Sequence, residues 1–221
     1  SGSAPGSLAG YGKGLSNNRR PCYHGINQVG GCDGSSSFPS GHTAKGTGAA
    51  LLAAYIFPER FQSFITMGQY YGESRIVVGA HYPLDVMASR ALAYKAVADL
   101  LAQGAAASYV SAARPRQAAL CGSRSVLACA NSNSGSRFSD WSSNQEFYNY
   151  TKNYGFASIG PTDRPMVVPE NAEYLIQTRF PYLRRDPLRD IIRTTADPSG
   201  AFLDDPWTRL HLFAASYGHG S

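Results

Sequence analysis

The sequence predicts a mainly α-helical protein. Strand-like alternation is scarce and short, the stretch from Thr43 to Phe57 is rich in Ala and Leu up to Pro58, and the run after Pro83 carries apolar residues at helical spacing. With 221 residues, of which 43% are hydrophobic and 16% charged, the chain is long enough to bury a sizeable core as one large domain or two small ones.

Residues 1–38 are rich in Gly, Ser and Asn and read as loop, with at most a short helix around Lys13 to Arg19. The helix from Thr43 to Phe57 has Ser40 in a natural N-cap position and Pro58 as its stop. A second helix is expected from Glu59 to about Gly72, continuing irregularly through Ser74 to Val78. A third begins at Pro83, a residue suited to a first turn, and runs to about Gln103. Its apolar positions Leu84, Met87, Ala91, Tyr94, Val97 and Leu101 mark a core face. Gly104 then sets a boundary, giving a helical core over 1–104 and an extension over 105–221. In the extension short helices are expected at Ala112 to Cys121, Glu170 to Phe180 and Asp186 to Thr194. The intervening Ser123 to Asp163 reads as irregular, and its many aromatics need a surface to pack on, so the extension is expected to lie over the core helices.

The net charge of +5 suits an anionic partner, but the basic residues are scattered, which argues against a nucleic-acid stripe. No apolar run reaches the roughly 20 residues that cross a bilayer. The four cysteines form two local pairs, Cys22 with Cys32 and Cys121 with Cys129, and neither has Cys-x-x-Cys spacing. Structural disulfides in an oxidising compartment are the first reading, which places the protein outside the cytoplasm as secreted or periplasmic; reduced buried thiols are the alternative. The absence of a basic, apolar and small-residue leader fits a processed chain. Asn149-Tyr150-Thr151 matches a glycosylation sequon, too short a pattern to carry weight.

Three blocks carry chemistry. In Pro39-Ser40-Gly41-His42, a glycine between a capping serine and a histidine lets backbone N–H groups approach an anion at a helix start, where the dipole favours negative charge. A structural histidine at a helix start is the plainer alternative. In Ser74-Arg75 followed by His81 and Asp85, the histidine and carboxylate lie one helical turn apart. The carboxylate can then fix the ring tautomer and leave the other nitrogen as a nucleophile, or the pair merely caps a helix. Lys13 and Arg20, seven residues apart, share a helix face if that segment is helical, and Pro21 would end the helix and turn Arg20 inward. Arg19 competes with Arg20, and a solvated basic cluster is the alternative.

Together the blocks resemble the signature K-x6-R-P, P-S-G-H, S-R-x5-H-x3-D of the acid phosphatase and vanadium haloperoxidase superfamily, which includes the type 2 phosphatidic acid phosphatases. The resemblance spans about residues 13 to 100. It implies a helical bundle and a metal-independent phosphomonoesterase. Lys13, Arg20 and Arg75 would bind phosphate oxygens with Ser40 and the Gly41 amide. His81 would form a phosphohistidine, Asp85 would orient it, and His42 would act as acid and then base. The implied partner is a phosphate-bearing small molecule, with no cofactor. Vanadate enters only for the alternative of a haloperoxidase, and a non-catalytic binding or structural protein on the same scaffold is the other alternative. Thr178 to Leu183, Arg193 to Ala196 and Leu210 to Gly218 also look similar to the tail of larger secreted bacterial members. Such enzymes have several helices before the lysine block, where only twelve residues stand here: a fragment, a bundle completed by another segment or a partner chain, and a trimmed fold are the alternatives.

Overall fold

Three long helices build the frame of the site. The computed structural model describes residues 12–14, 16–26, 29, 32–132, 135–157, 163 and 165–195. Helix is the only regular secondary structure among them. α1 (Gly41–Ile56) packs on both α2 (Phe61–Val77) and α3 (Pro83–Ala102). Ser40 starts α1 as expected, its hydroxyl accepting the Thr43 N–H at 3.2 Å. Pro83 opens α3 in the first turn. α2 stays regular through Arg75 to Val77, where the sequence suggested irregular backbone. It stops because Gly79 takes a φ of 71°, a left-handed conformation that costs glycine least.

The close approach of α1 and α2 needs Gly46. A Cβ there would stand 2.2 Å from Cδ1 of the Tyr71 ring, so the two helices meet over a residue with no side chain. Leu51 and Ala54 of α1, Phe61 and Ile65 of α2, and Tyr94, Val97, Ala98 and Leu101 of α3 form one buried cluster.

The second half of the chain differs from expectation in three places. α4 (Ala107–Cys121) starts five residues before Ala112 and carries Pro115 inside. The stretch read as irregular contains α5 (Val126–Asn131), capped by Ser125, and α6 (Trp141–Thr151), capped by Asp140, whose carboxylate accepts the Ser143 N–H at 2.6 Å. A continuous helix from Glu170 to Phe180 does not form. Asn171 is left-handed and its amide reaches Asp99 at 2.9 Å; a 3₁₀ turn (Ala172–Leu175) and further turns follow. α7 (Arg185–Thr195) lies where a helix was expected.

This half is laid against the frame. Tyr70 of α2 stacks on Phe147 of α6 at 3.8 Å between ring centroids, and the Ser63 hydroxyl donates to the Phe138 carbonyl at 2.9 Å. Met166, Ala172, Leu175, Ile176, Phe180, Leu188 and Ile192 join the buried cluster, so both halves share one core. Both expected disulfides are formed, with Cα separations of 6.0 Å for Cys22–Cys32 and 5.5 Å for Cys121–Cys129. Among the described residues no helix is long and apolar enough to cross a membrane. Ala196 and the segment from Leu210 to Gly218 lie outside the described residues.

Candidate active site

The site lies where the start of α1, the end of α2 and the start of α3 meet the chain around Arg20. Residues 12–14 are helical, but residues 16–20 are not, so the expected helix from Lys13 to Arg19 is not formed. Arg20 is extended (φ −70°, ψ 153°), the backbone that a following proline favours, and this turns its side chain inward. Of the two competing arginines, Arg19 is exposed and Arg20 buried. Lys13 converges on the same place, donating from Nζ to the Ser36 carbonyl. Burial, then the Arg20 charge, lower the Lys13 pKa, against the opposing pull of Asp33 and Asp85.

His81 is held by the end of α2. The Arg75 carbonyl accepts the N–H groups of both Ala80 and His81 at 3.1 Å, so the turn through Gly79 places the ring just beyond the arginine. The ring is 1% exposed. Its Nε2 lies 3.1 Å from Nη1 of Arg20, which also donates to the Ala80 carbonyl at 2.9 Å. A guanidinium only donates, so Nε2 must present its lone pair and the ring proton resides on Nδ1. Nδ1 faces Oδ2 of Asp85 at 3.5 Å. That separation is an ion-pair distance and no true hydrogen bond, because Asp85 Oδ2 also accepts the Tyr82 N–H at 2.8 Å to close the start of α3. Asp85 thus caps α3 through the Tyr82 N–H while its carboxylate stands at ion-pair distance from the ring. Burial dominates the His81 titration and lowers its pKa; Asp85 opposes this and Arg20 adds to it.

His42 stands in the first turn of α1, half-buried. Burial first, then the neighbouring Arg75 and His81, lower its pKa, the same direction as for His81. Ser40 is fully buried; its oxygen accepts from Thr43 N and, at 2.8 Å, from Thr43 Oγ1, which leaves its own proton to donate. Gly41 opens α1 beside it, half-buried. Arg75 Nε and Ser37 Oγ are buried without a hydrogen-bond partner among the described residues. Buried polar groups are seldom left so, and two unfilled donors among three cations suit an anion. No group of three His, Cys, Asp or Glu side chains among the described residues is placed to hold a metal ion.

Sequence reasoning missed Asp33, Ser35 and Ser36, which hold the cations. Their Gly- and Ser-rich context has no periodicity, and their one signal is their place next to Cys32.

Comparison with known proteins shows what this helical frame and its site are similar to. Residues 7–101 match the family model described as the PAP2 superfamily. A non-specific acid phosphatase of Salmonella typhimurium is 46% identical over 56 residues, covering 25% of this chain and 22% of the relative. One from Providencia stuartii is 42% identical over 66 residues, covering 30% and 27%. A lipid A 1-phosphatase of Rhizobium etli is 46% identical over 57 residues, covering 25% and 24%. The match thus spans about a quarter of the length of these relatives. No solved structure gives a significant match.

Proposed function

We propose that the chain is a phosphomonoester hydrolase that works through a phosphohistidine. The observation that carries this is the His81 ring: its Nε2 lone pair faces a cation at 3.1 Å while Nδ1 faces a carboxylate. That is the tautomer an imidazole nucleophile needs. In the first step Nε2 attacks phosphorus, the bond from phosphorus to the ester oxygen breaks, and protonated His42 gives its proton to the departing alkoxide. In the second, neutral His42 takes a proton from water, the resulting oxygen attacks phosphorus, the P–N bond breaks and phosphate leaves with the His81 lone pair restored. Lys13, Arg20 and Arg75, with the Ser40 hydroxyl and the Gly41 amide, bind the equatorial oxygens, where electrostatic stabilisation is the largest contribution. Asp85 holds the ring and stabilises its positive charge in the intermediate. The reaction uses no metal, and its substrate is a phosphate-bearing small molecule.

Residues 1–104 form the catalytic unit in this reading, and residues 105–221 brace it. The paired cysteines support an oxidising location, secreted or periplasmic.

The test is hydrolysis of an aryl phosphate between pH 4 and 8, with and without vanadate, beside His81→Ala. Vanadate-sensitive turnover that falls by about 10³-fold or more in the variant, with loss of an acid-labile phosphoenzyme, is the expected result. Unchanged turnover in His81→Ala overturns the mechanism.

A further inference from the structure

Arg20, the cation in contact with His81 Nε2, and Lys13 are both held by a loop that lies outside the signature blocks. Arg20 is tied on several sides. Its Nη2 donates to Ser35 Oγ at 2.7 Å, its Nε to the Ser35 carbonyl at 3.2 Å, and Asp33 Oδ1 lies 3.1 Å from Nε. The same Asp33 oxygen accepts the Ser35 N–H at 2.9 Å and the Ser35 hydroxyl at 2.5 Å, locking the loop that locks the arginine. One residue on, Ser36 takes Lys13 on its carbonyl and meets Ser16 Oγ at 2.7 Å. The loop is anchored at Cys32, bridged to Cys22, and the Cys22 N–H bonds the Gly79 carbonyl at 2.9 Å, two residues before His81. A closed circuit therefore runs from the nucleophile's turn through the disulfide to Asp33 and Ser35, and back through Arg20 to His81 Nε2.

We propose that Asp33 and Ser35 are positioning residues for phosphoryl transfer, fixing the Arg20 guanidinium with one Nη1–H aimed at the position of attack, and that the Cys22–Cys32 bridge sets their register. This rests on the phosphohydrolase reading above. It yields a signature that loss of fold does not. The Asp33 carboxylate is an anion beside an anion site, so it disfavours a bound phosphate ground state. Its grip on Arg20 favours the transition state, which needs the fork held in place. Burial pushes the Asp33 carboxyl up, but hydrogen bonds from the Ser35 hydroxyl and N–H, then the charges of Arg20 and Lys13, prevail and hold it below its ordinary value.

The experiment measures binding of inorganic phosphate and of vanadate, a mimic of the transferring group, to the intact chain by calorimetry, together with aryl phosphate turnover. The variants are Asp33→Asn, Asp33→Glu, Ser35→Ala and the double Cys22→Ser/Cys32→Ser. Asp33 is 57% exposed, so the isosteric amide leaves no buried hole. Asp33→Asn and Ser35→Ala are expected to lose about tenfold in vanadate affinity and in kcat, the scale of one charge-assisted bond. Phosphate affinity stays within about twofold or, in Asp33→Asn, tightens. Asp33→Glu recovers part of the loss, and the double cysteine variant follows Ser35→Ala. Unchanged vanadate affinity in both single variants overturns the proposal, as does an equal fall in phosphate and vanadate affinity. If the wild type binds both anions but hydrolyses nothing, the phosphatase reading fails while the split in affinities still decides the positioning role. If it binds neither, both fall together.

Discussion

Two arginine–carboxylate clusters in this molecule use the same chemistry with the burial reversed. At the site the cation is inside: the Arg20 side chain is 8% exposed and its partner Asp33 57%. In the second half the anion is inside: Glu173 is 3% exposed, and Arg185, at 2.5 Å, is 60%. Arg189, at 2.8 Å from Glu173, also donates to the carbonyls of Pro169 and Val168. Burial pushes the Glu173 carboxyl up, but hydrogen bonds from its own backbone, Arg189 and Arg185 prevail and hold it below its usual value. That cluster is complete and has nothing left to bind. Around Arg20 the buried groups are His81 and Asp85, with Lys13 acting on the same charges, and the arginine's own carboxylate partner stands in water. The difference teaches that the side of the pair taken out of water separates a binding site from a brace.

Arg20→Ala should show the largest effect, a fall of about 10³-fold in kcat/KM with a thermal midpoint within a few degrees of wild type, measured by steady-state kinetics and calorimetry. Its exposed partner Asp33 is hydrated, and the small shift in midpoint comes from the Ser35 and Ala80 carbonyls, which lose a donor each. Glu173→Ala is the mirror image: about 2–3 kcal/mol less stable by urea titration, from the loss of two charge-assisted bonds, with kcat of the folded protein unchanged. A Glu173 variant that stays stable but loses turnover would break the comparison.

Next comes the pH profile. His42 must carry a proton to act as acid, and its pKa is lowered by burial, Arg75 and His81, so the proton is already lost below the ordinary histidine value of 6.5. The alkaline limb of kcat/KM should therefore fall on the acid side of 6.5. Arg75→Gln should move the limb of its residual activity upward, because one of the charges that disfavours protonation is gone. A limb that shifts the other way would remove His42 from the role. The smallest effect belongs to Arg185→Ala, whose side chain stands in water: no measurable change in turnover and at most a slight change in the urea midpoint.

Much of the frame was legible in the sequence. Ser40 as a cap, Pro58 as a stop and Pro83 as a first-turn residue are local signals, and local signals located α1 and α3. The signature residues were legible because Lys13, Arg20, His42, Arg75, His81 and Asp85 occur in a fixed order, and the fold brings Lys13 and Arg20, His42 and Arg75, and His81 and Asp85 into one another's reach. What escaped depended on contacts distant along the chain. α6 carries Asp140 as a cap, yet its aromatic side declared itself only through the Tyr70 ring on α2. The turns after Asn171 break a plausible helix because Glu173 must face α7 and Asn171 must reach Asp99, constraints no window of sequence contains. Asp33 and Ser35 escaped because a loop that grips an arginine from outside has no pattern of its own.

Gly46 sits one turn along α1 from His42, and Tyr71 one turn along α2 from Arg75, so the contact between glycine and ring lies one turn from both candidate site residues. In mechanical terms that glycine is a shim of zero thickness. A single methyl group there would wedge the rods apart, and the gap would open upward as a lost alignment between two groups that had not themselves been altered. The tolerance of the candidate site is set, in part, by a hydrogen atom.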